Sequence, residues 1–457
     1  MKKKYRVYLL FLVLFAPKVL FAQTATDTTA TTLTLQQCID FALRNQPGVR
    51  QANIDEDINE KDIRISLAAW LPQVASTGSY QHYLQRFNAF GAQTGGTATP
   101  GTGTTGAVPA QQLAIATNVS NLGVSASQAL YNNEVMQASK ASKFSRQYYK
   151  QNTVSTKIDV VANVSKAFYD LLLSQRQLDI INQDIARLQR NLRDATSRYQ
   201  AGVVDKIDSK QATIGLNNSL ASRKQLQESV NSRTAYLKQL MGYVPQKPLA
   251  VSYDSVQLVR QLVIDTNQIV NVNNRIEYSM LETQKNLNNV NVSYYKYGFL
   301  PSLSAVGSYS LQYFNSSVSN LYKDAFPTSL VGLNISIPIF QGTRRLQNLS
   351  KARLQVKRTD LDLENTRNAI NTEYTQALAN YKSNFTNYKA LGENVELAKD
   401  VYNVVSLQYR EGIKTYLDLI VAQTDLRTAS LNYYNALFQL LSSKVDLQRA
   451  LGTIPVQ

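Results

Sequence analysis

Apolar positions recur by threes and fours along most of the chain, and in four places that rhythm gives way to alternation. Leu178, Ile181, Ile185, Leu188, Leu192, Ala195 and Tyr199 form one helical seam; Val395, Ala398, Tyr402, Val405 and Tyr409 form a second. Such spacing gathers side chains on one face of a helix, as in a coiled coil. Asn133 to Ala201 contains neither glycine nor proline, and Thr343 to Glu411 contains only Gly392. At ~1.5 Å per residue each segment predicts a helix of roughly 100 Å. Each ends at a glycine, Gly202 or Gly412, a residue suited to a left-handed terminus because it lacks Cβ. A second helical pattern then runs back to Leu240 or Leu451, so two long helical hairpins are expected, with tips at 202–208 and 412–418.

The alternating segments predict strands at about 72–86, 119–131, 301–314 and 329–340. Leu303, Ala305, Gly307, Tyr309, Leu311 and Tyr313 take one side against Ser304, Val306, Ser308, Ser310 and Gln312. Val331, Leu333, Ile335, Ile337 and Ile339 alternate with Gly332, Asn334, Ser336 and Pro338; Leu122, Val124, Ala126 and Leu130 oppose Asn121, Gly123, Ser125 and Ser127. Alternation over about ten residues fits a transmembrane β-strand, apolar to lipid and polar to the lumen, or a soluble sheet with one wet face. Two features favour the membrane. Trp70, Tyr83, Tyr131, Phe299, Tyr322 and Phe340 lie at strand ends, where they would form interfacial aromatic belts. The loops Phe87 to Thr117 and Asn315 to Thr328 are long and polar, and Gly91 to Gly106 is almost entirely Gly, Thr and Ala, a composition expected to be disordered.

The whole arrangement occurs twice. Leu71-Pro72 with Gly78-Ser79-Tyr80 returns as Leu300-Pro301 with Gly307-Ser308-Tyr309 at an offset of 229, and Tyr199, Gly202 and Asp208 return as Tyr409, Gly412 and Asp418 at 210. The difference of 19 matches the extra Gly/Thr-rich sequence of the first copy. Two tandem units follow, at 33–242 and 266–452, joined by a linker at 243–265 with Pro245 and Pro248 and followed by a tail at 453–457.

Composition narrows the setting. Basic residues Lys2, Lys3, Lys4 and Arg6 precede an apolar run from Val7 to Phe15, with Ala22 before Gln23; this predicts a signal peptide at 1–22, followed by a flexible Thr/Ala-rich segment at 23–32. The formal charge is +16. Export argues against nucleic acid as the acidic partner, and the excess is read mainly as solvated surface. Cys38 is the only cysteine and is expected to be a small buried helix residue; His82 is the only histidine and is expected near the outer end of a strand. Without a His/Cys cluster there is no basis for a metal site, and no cofactor loop, nucleophile elbow or paired-carboxylate site appears. The sequence gives an enzyme nothing to work with.

Four strands cannot close a membrane barrel, which needs about eight or more to satisfy its backbone. The chain must share a barrel with copies of itself, and the geometry implied is a lipid-embedded cylinder continued by a helical tube. That is a conduit. The order, spacing and duplication of Leu35 through Pro47, Leu71-Pro72, Leu300-Pro301, Ile337-Pro338-Ile339-Phe340 and the two tips resemble the TolC-type outer-membrane efflux factors, over about Leu33 to Gly452. The resemblance implies a mainly α fold with β, in which a homotrimer shares a 12-stranded transmembrane barrel above a long periplasmic α-helical barrel. It implies no cofactor, and partners in outer-membrane lipid, a periplasmic adaptor and an inner-membrane pump of RND or ABC type, serving efflux or type I secretion. It also implies a periplasmic gate at the tips, with Tyr409 and Lys414 linked to Asp208, and Asp418 in an acidic ring at the aperture; the second acidic position of that ring is Val421 here. The competing reading is a soluble periplasmic coiled-coil adaptor with a small β-domain.

Overall fold

The computed structural model describes residues 31–84, 116–252, 262, 265 and 268–456. The expected signal peptide, most of the 23–32 segment, the stretch from Gly91 to Gly106 and part of the linker lie outside the described residues. In chain order the elements are β1 (Thr31–Leu33), α1 (Leu35–Asn45), α2 (Pro47–Leu67), β2 (Gln73–His82), β3 (Asn118–Tyr131), α3 (Asn133–Gln200) and α4 (Lys206–Met241). There follow β4 (Leu249–Val251), α5 (Ile276–Lys296), β5 (Ser302–Asn315), β6 (Phe326–Ser336), α6 (Arg344–Arg410) and α7 (Tyr416–Leu451).

Local chemistry sets the breaks. Thr34 and Gln37 form a reciprocal capping box that starts α1. Gln46 caps the amide of Val49 at 2.8 Å with Pro47 at the first helical position, which explains why α1 stops at Asn45 and α2 begins two residues later. A short 3₁₀ turn, Ala68–Trp70, precedes Pro72 and the first long strand. The helices α3 and α6 run uninterrupted for 68 and 67 residues. Their seams are unequal. Ile181, Ile185, Leu188 and Ala195 are buried, whereas Tyr199, placed by its spacing in the same seam, is 40% exposed.

Strands β2, β3, β5 and β6 form one antiparallel sheet in that order. Val124 pairs with Ser76 and Tyr309, Ala126 with Val74 and Gly307, and Gly307 with Val331. Cross-strand partners share a face. One face therefore carries Val74, Leu122, Val124, Leu311, Val331, Leu333 and Ile335, and the other Thr77, Ser79, Ser125, Ser304, Ser308 and Asn334. The apolar face is bare within one chain: Val331 is 91% exposed.

Three details depart from the alternation. A register shift between Ala129 and Tyr131 puts Tyr131, not Leu130, opposite Leu303; the bulge takes up one residue. The last strand spans 326–336 rather than 329–340, so Ile337 and Ile339 lie beyond it, where Pro338 lacks the N–H that a ladder needs. A two-stranded parallel pair, β1 with β4, ties Thr31–Leu33 to Leu249–Val251, joining the end of the supposedly flexible leader to the linker. Three residues are too few to show a period.

The core lies where α1 packs on the middle of α3 and the end of α4, with α7 of the second hairpin against α3. Phe168, Leu171 and Leu172 of α3 meet Leu237 and Met241 of α4 and Leu440 and Leu441 of α7, all essentially without solvent contact. Each such side chain contributes about 1.5–3 kcal/mol. Cys38 is buried here, and burial pushes its thiol up to about 12. The duplication shows in the caps. Gly242 and Gly452 end α4 and α7 at φ 67° and 70°, and a Cβ on either would meet the carbonyl oxygen of Asn45 at 2.7 Å or of Asn274 at 2.8 Å.

Candidate functional site

Both hairpin tips reverse through the same backbone device. Val203 N donates to Arg198 O and Ile413 N to Gln408 O, at 2.9 and 2.8 Å, with Gly202 and Gly412 at φ 71° and 75°. Beyond the glycines the tips differ. Thr415 and Asp418 form a capping box at the start of α7, with Asp418 N donating to Thr415 Oγ1 at 3.2 Å and the Thr415 hydroxyl donating to Asp418 Oδ2 at 2.7 Å. The Thr415 hydroxyl and amide beside Asp418 hold its carboxyl below the ordinary value of 3.8. Asp205, the corresponding residue of the first tip, makes no side-chain cap.

A small apolar cluster joins the tips. Tyr409, Tyr416 and Leu419 pack on Ala212 of α4, with the two tyrosine rings edge to face at 6.0 Å. Arg198 of α3 lies over the Tyr409 ring at 4.8 Å and donates through Nη2 to Arg410 O at 2.9 Å. Lys414 sits 3.9 Å from Asp418 on its own tip. Within one chain Asp208 makes no hydrogen bond or ion pair to Tyr409 or Lys414 among the described residues. The expected link of that pair to Asp208 is therefore not seen within one chain; at the tips Arg198 adds a polar contact between the hairpins to the apolar one. The hydroxyls of Tyr409 and Tyr416 are buried without a hydrogen-bond partner, and burial pushes both phenols upward.

Farther up, a buried carboxylate fastens the hairpins together. Asp184 of α3 is 1% exposed and accepts from Gln423 Nε2 at 2.8 Å, Arg427 Nη1 at 3.2 Å and Ser219 Oγ at 3.3 Å. Arg187 approaches at 3.7 Å and stacks over Tyr402 of α6 at 5.7 Å. Asn191 donates to Gln423 Oε1 at 2.8 Å. One anion thus engages α3, α4 and α7 directly and α6 through Arg187. Neither Arg198 nor this network is signalled by the apolar spacing alone. The visible clue is a charged residue lodged in the seam between Ile181 and Ile185.

The strand-end aromatics fall at two levels. Trp70, Tyr131, Phe299 and Phe340 lie at the helix side of the sheet, and Tyr83 and Tyr322 at the far side. Phe299, Tyr322 and Phe340 are 50%, 62% and 87% exposed. At the far side His82 Nδ1 and Tyr80 Oη each lie 2.7 Å from Asn118 Oδ1. Among the described residues no helix is long and apolar enough to cross a membrane, and no group of His, Cys, Asp or Glu is arranged to hold a metal.

Comparison with known proteins fits this geometry. The family described as outer membrane efflux protein matches residues 38–243 and 279–453, one segment for each repeat. The chain belongs to the outer membrane efflux protein family. The probable efflux pump outer membrane protein TtgC of Pseudomonas putida is 24% identical over 430 residues, covering 92% of this chain and 82% of the relative. TolC of Vibrio cholerae is 22% identical, covering 73% and 77%. The Campylobacter jejuni CmeC outer membrane channel superposes with a TM-score of 0.72 at 19% identity, over 92% of this chain and 85% of that one. The family member described here is an outer-membrane efflux channel with a helical barrel in the periplasm; the soluble adaptor reading falls, because its relatives and structural neighbours are channels.

Proposed function

We propose that three copies of this efflux channel close a 12-stranded barrel and a continuous helical tube, and that the tube passes cargo passively from a periplasmic adaptor and an inner-membrane pump to the exterior. The observation that carries this reading is the sheet itself. It has one bare apolar face and two unpaired edges, β2 and β6. An unpaired edge in hydrocarbon costs several kcal/mol for each unsatisfied group. Because the four strands alternate in direction, β6 of one copy meets β2 of the next antiparallel, so the ring closes without a mismatch. A second stripe supports shared helices: Leu397, Val401 and Val404 of α6, spaced by four and three, are 63%, 52% and 55% exposed.

The tips are the gate in this reading. Tyr409 and Arg198 hold the hairpins of one subunit together, Asp208 is left available for Lys414 of a neighbouring subunit, and Asp418 stands at the aperture. Relatives named as toluene and antibiotic efflux pump components point to small organic cargo. The test is extraction in detergent followed by electrophoresis with and without heating, and single-channel recording in planar bilayers. A heat-sensitive trimer that conducts is expected; a monomer soluble in plain buffer would refute the reading.

A further inference from the structure

A cleft lies where the sheet meets the helices. It measures about 610 Å³ and is bounded by the first turns of α3 and α6, the end of α5, and the helix-side ends of β5 and β6. Its strand-derived walls include Ser302 and Ser336, which are cross-strand partners. That pair belongs to the polar face with Ser304, Asn334, Ser308 and Ser310. In the channel reading the opposite, apolar face meets lipid, which turns this polar face and the cleft at its end toward the lumen.

Two guanidiniums dominate its chemistry. Arg344 and Arg345 line the cleft, and among the described residues neither has an ion-pair partner. Along α6 the charge is positive at first: the helix holds Arg344, Arg345, Lys351, Arg353, Lys357 and Arg358 before its first acid, Asp360. The pair occupies the first turn of a helix, where the backbone dipole disfavours cations, and that turn contains no acidic side chain. One carboxylate, Glu134, reaches the cleft from α3. Asn132, Asn133 and Asn348 add neutral donors. Phe299 lies under Arg345, 5.8 Å from the guanidinium carbon to the ring centroid, and fixes the plane of its fork.

An arginine fork beside amide donors, set in a wet recess, suits a carboxylate or phosphate group. We propose that this recess is a lumenal oxyanion site, so that cargo carrying a carboxylate or phosphate is held at the neck between helical tube and strand barrel. The proposal rests on the channel reading and extends it to a class of cargo. Repeated around the axis, the site gives the neck a ring of arginines, and the conduit is anion-preferring there whatever the sign at its periplasmic aperture.

The test uses the full-length oligomer in planar bilayers in potassium chloride, with inorganic phosphate as the probe. Phosphate is expected to reduce wild-type conductance, and Arg344→Gln with Arg345→Gln to weaken that block by about tenfold and shift the reversal potential toward cations. Glu134→Gln is expected to strengthen the block by about threefold, which a purely structural role for the arginines would not produce. Loss of channels in wild-type protein would refute the channel reading. Wild-type channels that conduct but give equal phosphate block in all three proteins would overturn the oxyanion site alone. Should the double variant fail to assemble, the Glu134→Gln comparison decides by itself.

Discussion

Replacing Asp184 by alanine removes the one anion on which Arg427, Arg187, Gln423 and Ser219 converge. Truncating one partner of a buried ion pair costs about 3–5 kcal/mol when the other charge stays buried. Arg427 and Arg187 retain 31% and 16% of their side-chain exposure, so both can swing partly into water. The lower bound, about 3 kcal/mol, is therefore expected. Gln423, 2% exposed, cannot escape, and its amide would be left donating to nothing. Asparagine keeps an oxygen for Gln423 but sets an NH2 where Oδ2 accepts from Arg427 and Ser219; the serine hydroxyl can turn to accept from it and Arg427 can swing into water, so the cost is about 1–2 kcal/mol.

Hydrogen exchange of the purified oligomer reads this directly, because local opening sets the rate at which protected amides exchange. At α7 around Gln423 and Arg427, Asp184→Ala should accelerate exchange about 100-fold and Asp184→Asn about tenfold. Amides near Leu440 and Leu441, in the central core, should not change. Were both variants within about twofold of wild type at α7, the network would be a bystander and the hairpins would be held together by apolar packing alone.

Arg198→Ala should raise the resting single-channel conductance, since it removes the polar contact that spans the two tips, whereas Tyr409→Phe alone should change it little because that hydroxyl has no partner within the chain. The Thr415–Asp418 cap should weaken in acid: its carboxyl is held below 3.8 when folded, so its contribution is present above that value and is lost as the pH falls through the lower, folded one. Faster proteolysis of the second tip than of the first on going from pH 5 to pH 3, with an acid-tolerant protease, would show it. Gly242→Ala forces a Cβ to 2.7 Å from Asn45 O at positive φ, and should cost about 1–3 kcal/mol more than Gly202→Ala, where no atom lies within 4 Å; the yield of heat-sensitive oligomer ranks the two.

The long elements were legible in the sequence because their signals are long. A period sustained over dozens of residues, with Gly202 and Gly412 as punctuation, specifies α3 and α6 almost by itself. The strands were legible from alternation, and their limits less so, since a bulge at Ala129/Tyr131 and a proline at 338 each shift the pattern by a residue or more. The parallel β1–β4 pair was not legible: it joins three-residue segments more than two hundred positions apart. At the tips, homologous position pointed to Tyr409, Lys414, Asp208 and Asp418, and within one chain a residue outside that set, Arg198, covers Tyr409. Arg198 reaches Tyr409 through the crossing of two hairpins, a relation that no local spacing encodes.

That difference follows from how a duplicated sequence makes two unlike hairpin tips. Tyr199 and Tyr409 occupy the same place in their repeats, yet Tyr199 is 40% exposed and Tyr409 is 4% exposed. Two identical hairpins leaning on each other cannot both insert a tyrosine into the same cleft, so one becomes the key and the other the lock. Here the second hairpin supplies the ring and the first supplies Ala212, small enough to receive it, and Arg198 to cover it. The first tip is left with Tyr199, Val203 and Ile207 outward, and the second with Ile413, Leu417 and Val421. Val203 and Ile207 match Ile413 and Leu417, so the outward difference lies at Tyr199 and at Val421, whose counterpart is Gln211; a cyclic assembly needs such a difference, because each subunit presents one edge unlike the edge it receives. Divergence between the repeats therefore supplies the two distinct edges, and the seam inside a subunit can be closed more firmly than the seams between subunits, where a docking partner would have to act.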